Sequence, residues 1–297
     1  APTRGAAGMS ISGKAKLAGV AGWPVAHSLS PLLHDFWLEN LAIDGAYVPL
    51  AIAPHDLARA LDGLFRAGFA GVNLTIPHKE AGFALVDRVD DHARAAGAVN
   101  LLLRGPDGRL EGRNTDASGL AASLRASGVA LTGGKAVLYG AGGAARAAVL
   151  ALAEIGAAEI TVLNRHQDRA NQLVRALAPH VTVKLGSRGF ADWPGLAAET
   201  DLLVNATSAG MAGNPALALT LDRLRGSAVV CDLVYSPLET PLLKAAAARA
   251  HKTVDGLGML LHQAVPAFEA FYGIRPEVTP ALRQKLEQAL RAKQKQA

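Results

Sequence analysis

The sequence predicts a two-domain α/β protein whose second half is a Rossmann-type, doubly wound sheet, and three observations lead there. Strand-like apolar runs alternate with helical patterns over 297 residues, half of them hydrophobic, which is material for two domains of ordinary size. Residues 135–165, KAVLYGAGGAARAAVLALAEIGAAEITVLNR, give an apolar run, a glycine turn, an alanine-rich helix and a second apolar run. From Leu257 onward the pattern is helical, without strands.

Taken in order, APTRGAAG before Met9 has no hydrophobic signal region and is set aside as a remnant ahead of a natural start at Met9. Residues 16–21, 46–51, 71–75 and 98–103 read as strands, and 31–41, 56–67 and 79–86 as helices. Mostly parallel pairing is expected. Pro106, Asp107 and Gly108 between two apolar runs predict a hairpin, hence one antiparallel pair at this sheet's edge. A helix at 119–127 is expected to join the halves, and further strands follow at 201–205, 228–233 and 253–255.

Composition narrows the function. Net charge is only +5 with Lys and Arg scattered, and no basic stripe is interleaved with aromatics, so nucleic acid is not indicated. The balance suits an anionic small molecule. No uncharged stretch is apolar enough to span a membrane. The single cysteine, Cys231, sits in an apolar run and reads as a buried hydrophobe, compatible with a reducing cytoplasm. The nine histidines show no metal-binding spacing, and no metal is expected.

The glycine turn carries the first positive reading. Gly140, Gly142 and Ala145 stand at G-x-G-x-x-A spacing. The first glycine turns the chain, the second lets backbone N–H groups approach a pyrophosphate, and the third small residue lets the helix pack close to its strand. An NAD site carries a carboxylate at the end of the next strand. Here Asn164 stands there, followed by Arg165 and Arg169, which can clamp a 2′-phosphate, so NADP is favoured.

Other polar residues are placed where the fold has no need of them. Ser28 and Ser30 lie in GWPVAHSLSP, where Ser30 before Pro31 also reads as an ordinary helix N-cap. Asn73, Thr75 and Lys79 in NLTIPHK follow an apolar strand, Asn100 ends GAVN, and Asp116 ends GRNTD. Ligands in open α/β sheets bind at such strand ends.

The ordered set GWPVAHSLSP, NLTIPHK, GAVN, GRNTD, GAGGAARA, NATSAGM, DLVYSPLETP and GLGMLLHQ resembles the shikimate dehydrogenase family over nearly the whole chain. The resemblance implies a cytoplasmic enzyme that reduces 3-dehydroshikimate to shikimate with NADPH, for aromatic amino-acid biosynthesis. It implies Lys79 and Asp116 as the catalytic pair. Ser28 and Ser30, with Tyr235 nearby, would hold the substrate carboxylate, and Asn73, Thr75, Asn100 and Gln263 would complete its pocket. Gly140, Ala141, Gly142, Gly143 and Ala144 would form the phosphate loop, Asn164, Arg165 and Arg169 the 2′-phosphate site, Thr207 and Met211 the nicotinamide side, and Gly256 would also bind the cofactor. The family often has Thr after the Asn-Arg pair, where this chain has His166. Since Gln263 follows the dinucleotide unit, the expected division is 9–116 for substrate, 117–255 for NADP, and 256–297 as helices returning to the substrate domain. A monomer or homodimer is expected. Competing readings are a quinate/shikimate dehydrogenase paralogue with relaxed substrate or NAD use, and a non-catalytic NADP-binding sensor on the same fold.

Overall fold

The computed structural model describes residues 11–294, so the expected start at Met9 lies outside the described residues. The chain forms two compact units. One comprises the described part of Ala1–Ala93, Gly97–Asn114 and Ala264–Leu282, and the other Arg94–Ala96, Thr115–Gln263 and the described part of Arg283–Ala297.

The first unit holds strands β1 (Lys16–Gly22), β2 (Gly45–Ala51), β3 (Phe69–Leu74), β4 (Arg88–Val89), β5 (Leu101–Arg104) and β6 (Leu110–Arg113), in the order β2-β1-β3-β5-β6-β4. Strand β1 is parallel to β2 and β3, and β4 is parallel to β6. The β5–β6 hairpin forms as expected, with Gly108 at φ +80° in its turn, but it does not make the edge. Strand β5 also pairs antiparallel with β3, and two-residue β4, too short to show a period, lies outside β6. The helix Leu57–Arg66 buries Leu57, Leu61 and Phe65 at helical spacing against Val72, Leu74 and Leu102. An aromatic cluster is completed from far along the chain. Phe268 packs 5.2 Å from Trp37, the Tyr272 hydroxyl donates to the carbonyl of Ala46 at 3.0 Å, and the Trp37 indole donates to that of Glu277 at 2.9 Å.

The second unit has six parallel strands, β7 (Lys135–Tyr139), β8 (Glu159–Asn164), β9 (Lys184–Gly189), β10 (Leu202–Asn205), β11 (Val229–Asp232) and β12 (Lys252–Val254), ordered β12-β11-β10-β7-β8-β9. This is the doubly wound arrangement, with its switch point between β7 and β10. Apolar clusters cover both faces, so the central strands are buried on both sides. The sequence reading omitted β9, a half-exposed edge strand of mixed polarity.

Two boundaries differ from expectation. The helix at Asp116–Ala126 does not link the halves but belongs to the second unit, where Ala117, Leu120 and Leu124 are buried with Leu138 and Leu152. Asp116 and residues 256–263, Gln263 among them, fall in the second unit and not on the substrate side as expected, and only Ala264–Leu282 joins the first unit before Arg283 begins a return to the second. There the Arg283 guanidinium pairs with Asp255 and, at 2.8 Å, with Glu287.

Candidate active site and cofactor cradle

The first sheet gathers several of the singled-out residues at one edge because of its pairing. Strands β1, β3 and β6 end there and β5 begins there, with Asn73 opposite Leu101 and Leu101 opposite Arg113. The loops after these strands are tied by backbone bonds. Thr75 N–H donates to the carbonyl of Ala21 at 2.9 Å, Leu74 N–H to that of Asn100 at 3.0 Å, and Val99 N–H to that of Lys79 at 2.9 Å. Ser28, Ser30, Thr75, Lys79 and Asn100 therefore sit on loops or helix starts at the same sheet edge.

Lys79 is the second residue of the helix His78–Leu85 and is half-buried. The start of that helix is fixed from below by buried His78, whose Nε2 lies 2.8 Å from the carbonyl oxygen of Ile52. Ser30 is not the N-cap that its place before Pro31 implied. Leu29 occupies that position, no side chain caps the helix, and the Ser28 hydroxyl accepts the Ser30 N–H at 3.2 Å. The Ser30 hydroxyl is thus not committed to capping.

Asn73 is buried, and its amide is engaged at both ends. It accepts from the Tyr47 hydroxyl at 2.8 Å and donates to the Asn100 carbonyl at 2.8 Å. Tyr47 in turn stacks on His34, ring centroids 3.8 Å apart, and burial pulls the His34 pKa down to about 3, so its ring is neutral. Tyr47 and His34, absent from the sequence reading, hold Asn73 and through it the Asn100 backbone.

In the second unit, half-buried Asp116 opens its helix one residue after Thr115, whose hydroxyl donates to the Gln263 carbonyl at 2.8 Å. A Cβ on Gly119 would meet the Gln263 backbone nitrogen at 2.7 Å, so the absence of a side chain there permits the two helices to cross so closely. Tyr235 is half-buried after β11, and burial pushes its phenol pKa up. Lys79 and Asp116 belong to different units.

The glycine turn has the space that a dinucleotide needs. Gly140 takes φ +114°, and a Cβ there would stand 2.8 Å from the Ala206 carbonyl oxygen, so this position favours glycine. A Cβ on Gly142 or Gly143 would meet nothing within 4 Å, and the backbone of Gly142, Gly143 and Ala144 is exposed at an uncapped helix start. Fully buried Ala145 then seats the helix on the sheet. At the end of β8, Asn164 folds its amide onto the His166 carbonyl at 2.9 Å. Arg165 and Arg169 are exposed, and among the described residues neither is in an ion pair with a carboxylate. Backbone donors and free guanidiniums fit an anionic dinucleotide. Gly256 has a different duty, since a Cβ there would stand 2.2 Å from the Leu233 carbonyl oxygen.

Beyond the switch point Asn205, Thr207, Asp232 and Thr240 form a buried polar network, of which the sequence pointed only to Thr207. The Asn205 carbonyl oxygen accepts from the backbone N–H and hydroxyl of Thr207, at 3.1 and 2.7 Å. Its amide donates to the Ala209 carbonyl at 3.2 Å and to Asp232 at 2.9 Å. Asp232, fully buried, also accepts from Val234 N–H at 3.0 Å and from the Thr240 hydroxyl at 2.6 Å. Thr240 is the N-cap of the helix Pro241–Ala247. Exposed Met211 lies on the same loop, its N–H bonded to the Ser208 carbonyl. Among the described residues there is no cluster of potential metal ligands, and no helix is long and apolar enough to cross a membrane.

Residues 20–102 match the model of the shikimate dehydrogenase substrate binding domain, and residues 122–216 that of shikimate / quinate 5-dehydrogenase. A relative from Paramagnetospirillum magneticum, named shikimate dehydrogenase (NADP(+)), is 53% identical, with 92% of this chain and 98% of that one covered. Shikimate 5-dehydrogenase from Thermus thermophilus, solved in complex with NADP(H) and shikimate, superposes with TM-score 0.80 at 39% identity, covering 93% of this chain and 99% of the other. Quinate dehydrogenase from Corynebacterium glutamicum in complex with NAD gives TM-score 0.86 at 31% identity, covering 92% and 99%.

Proposed function

The chain belongs to the shikimate dehydrogenase family, and from that membership we propose how its own residues carry the reaction. It is an NADP-dependent oxidoreductase that reversibly reduces 3-dehydroshikimate to shikimate, a step of aromatic amino-acid biosynthesis. The observation that supports the residue assignment is the convergence of Ser28, Ser30, Thr75, Lys79 and Asn100 on one sheet edge of the first unit.

The first unit supplies the serines, Thr75, Asn100 and Lys79 for the substrate, and the second binds NADP and supplies Asp116, Tyr235 and Gln263. The serine hydroxyls donate to the carboxylate, with Tyr235 beside it, while Thr75, Asn100 and Gln263 bond the ring hydroxyls. Asn73, its amide occupied, keeps Asn100 in place. When bound, the dinucleotide supplies the hydride. Negative charge then builds on the ketone oxygen, where the Lys79 ammonium stabilises it and delivers a proton; in the reverse direction the amine takes that proton back. Asp116 orients the ammonium and accepts a hydrogen bond from a neighbouring hydroxyl. Gly140 turns the chain, its own N–H committed to the Leu163 carbonyl at 2.8 Å, and backbone N–H groups of Ala141, Gly142, Gly143 and Ala144 receive the pyrophosphate. Asn164, Arg165 and Arg169 receive the 2′-phosphate, and Thr207 and Met211 the nicotinamide half, while Gly256 lets the chain pass close to Leu233 on the cofactor's side. The enzyme acts in the cytoplasm as a monomer or homodimer, states that light scattering separates.

Lys79→Met tests the assignment. It removes the ammonium and keeps the stem, so turnover should fall by about 10² to 10⁴-fold, the range for a lost acid/base group. Shikimate affinity and melting temperature should change far less. Near-normal turnover would remove Lys79 from the chemistry, and a collapsed melting temperature would make it a structural cation.

A further inference from the structure

The second sheet places a buried carboxylate on the side of the cofactor cradle opposite the arginines. Arg165 and Arg169 follow β8 on one flank of β7, whereas Thr207 follows β10 and Asp232 ends β11 on the other. A dinucleotide whose 2′-phosphate lies at the arginines and whose pyrophosphate lies at the β7 turn must run its nicotinamide half toward β10 and β11. Asn205 is in register with Tyr139 and Asp232 with Asn205. Two strand spacings put the Asp232 backbone about 10 Å along the sheet from β7.

The hydrogen bonds at Asp232 are those of a carboxylate anion. Asn205 directs its carbonyl to two Thr207 donors, which leaves its amide to donate to Asp232. Val234 N–H can only donate. The Thr240 hydroxyl accepts from Leu243 N–H and donates to Asp232. Three donors converge on the carboxylate and no acceptor faces it, as an anion requires. No Lys, Arg or His forms an ion pair with it among the described residues. Burial pushes its pKa up while the three donors oppose that rise. Charge without a counter-cation, held rigidly where water does not reach, acts over longer range than a surface charge.

We propose that Asp232 is a positioning residue that also tunes the cofactor electrostatically, its buried negative charge favouring the oxidised, cationic nicotinamide over the reduced, neutral one. The inference rests on the proposed placement of NADP in this unit. It gives the buried Asn205–Asp232–Thr240 network a purpose beyond folding, since holding the oxidised form more tightly makes the bound reduced form a better hydride donor.

The test is binding rather than turnover, by fluorescence or calorimetry, with NADP+, NADPH and 2′-phospho-ADP-ribose, which lacks the nicotinamide. In Asp232→Asn, NADP+ should weaken relative to NADPH by about three- to tenfold, with 2′-phospho-ADP-ribose unchanged. Equal weakening of NADP+ and NADPH, or loss of all three ligands, would overturn the proposal and leave Asp232 a structural residue. Wild-type protein provides a measurement that does not depend on the variant folding: NADP+ should bind at least as tightly as NADPH, and a tenfold preference for NADPH would overturn the electrostatic role. Arg165→Ala with 2′-phospho-ADP-ribose separates this from the placement itself, because an unchanged affinity there would refute the cofactor reading and with it the proposal.

Discussion

Two exposed guanidiniums, Arg165 and Arg169, follow Asn164, which stands where an NAD site carries a carboxylate. Replacing both Arg165 and Arg169 by alanine should weaken NADP+ by at least about tenfold and barely affect NAD+, an effect that shrinks as salt screens it. Titrations at low and high ionic strength measure this, and equal loss of both cofactors would place the clamp elsewhere. This segment was legible in sequence because it needs only local order, strand end then helix start. His34 was not legible, because its environment is assembled from residues distant in sequence. Its pKa lies near 3 in the folded chain against 6.5 for an ordinary histidine, so the unfolded state binds its proton first as pH falls. The stability that neutral His34 permits is whole above pH 6.5 and is lost from there down toward pH 3, with a slope of about 1.4 kcal/mol per pH unit from this group. Urea unfolding of wild type and His34→Phe across that window should show the slope lessened in the variant; identical slopes would mean that another group controls acid unfolding.

Between elements, glycines separate into those that fit a neighbour and those that leave room. A Cβ on Gly119 would come 2.5 Å from the Gln263 Cβ, so Gly119→Ala must push the helices Asp116–Ala126 and Leu257–Tyr272 apart. The expected cost is roughly 1–3 kcal/mol of stability, as in overpacked cores, together with a raised KM for shikimate through Gln263. Gly142→Ala should do the reverse. Its φ of −99° suits alanine and nothing lies within 4 Å, so stability should hold while NADPH affinity falls as the methyl fills the approach to the pyrophosphate. Denaturation and cofactor titration of the two variants would contradict this if both lost stability or neither lost binding. Sequence showed the Gly142 turn through its spacing but not the Gly119 crossing, where 144 residues separate the partners. For the same reason the short strand β4 and the polar edge strand β9 went unread: their register comes from a neighbour already in place, and not from a period of their own.

At the scale of the whole chain, the first unit is discontinuous, and its stability must depend on a segment that follows the whole dinucleotide unit in sequence. Residues 264–282 contribute Phe268, Phe271 and Tyr272 to an aromatic cluster with His34, Trp37 and Tyr47. A Cβ on Gly71 would fall 2.3 Å from the Phe271 ring, so the β3 strand has kept that position empty for this side chain. Resemblance in sequence foretold that the chain would return, but Gln263, the residue that suggested it, stays in the second unit and the return starts at Ala264. Nor did it foretell that residues past Leu282 would leave again, because Arg283 declares its partner only when Asp255 is beside it. A fragment covering residues 11–114 therefore contains all six strands of its sheet yet should lack fixed tertiary packing, the face meant for Phe268 and Phe271 being left to water. Near-ultraviolet circular dichroism of the fragment should be weak and thermal melting broad. Supplying residues 264–282 through a short glycine-serine linker should restore a cooperative melt, because burying Phe268 and Phe271 offsets the cost of ordering the added helix. A cooperative melt of the fragment without that segment would mean that the sheet and its own helices suffice, and that the returning helix serves the site and not the stability of the unit.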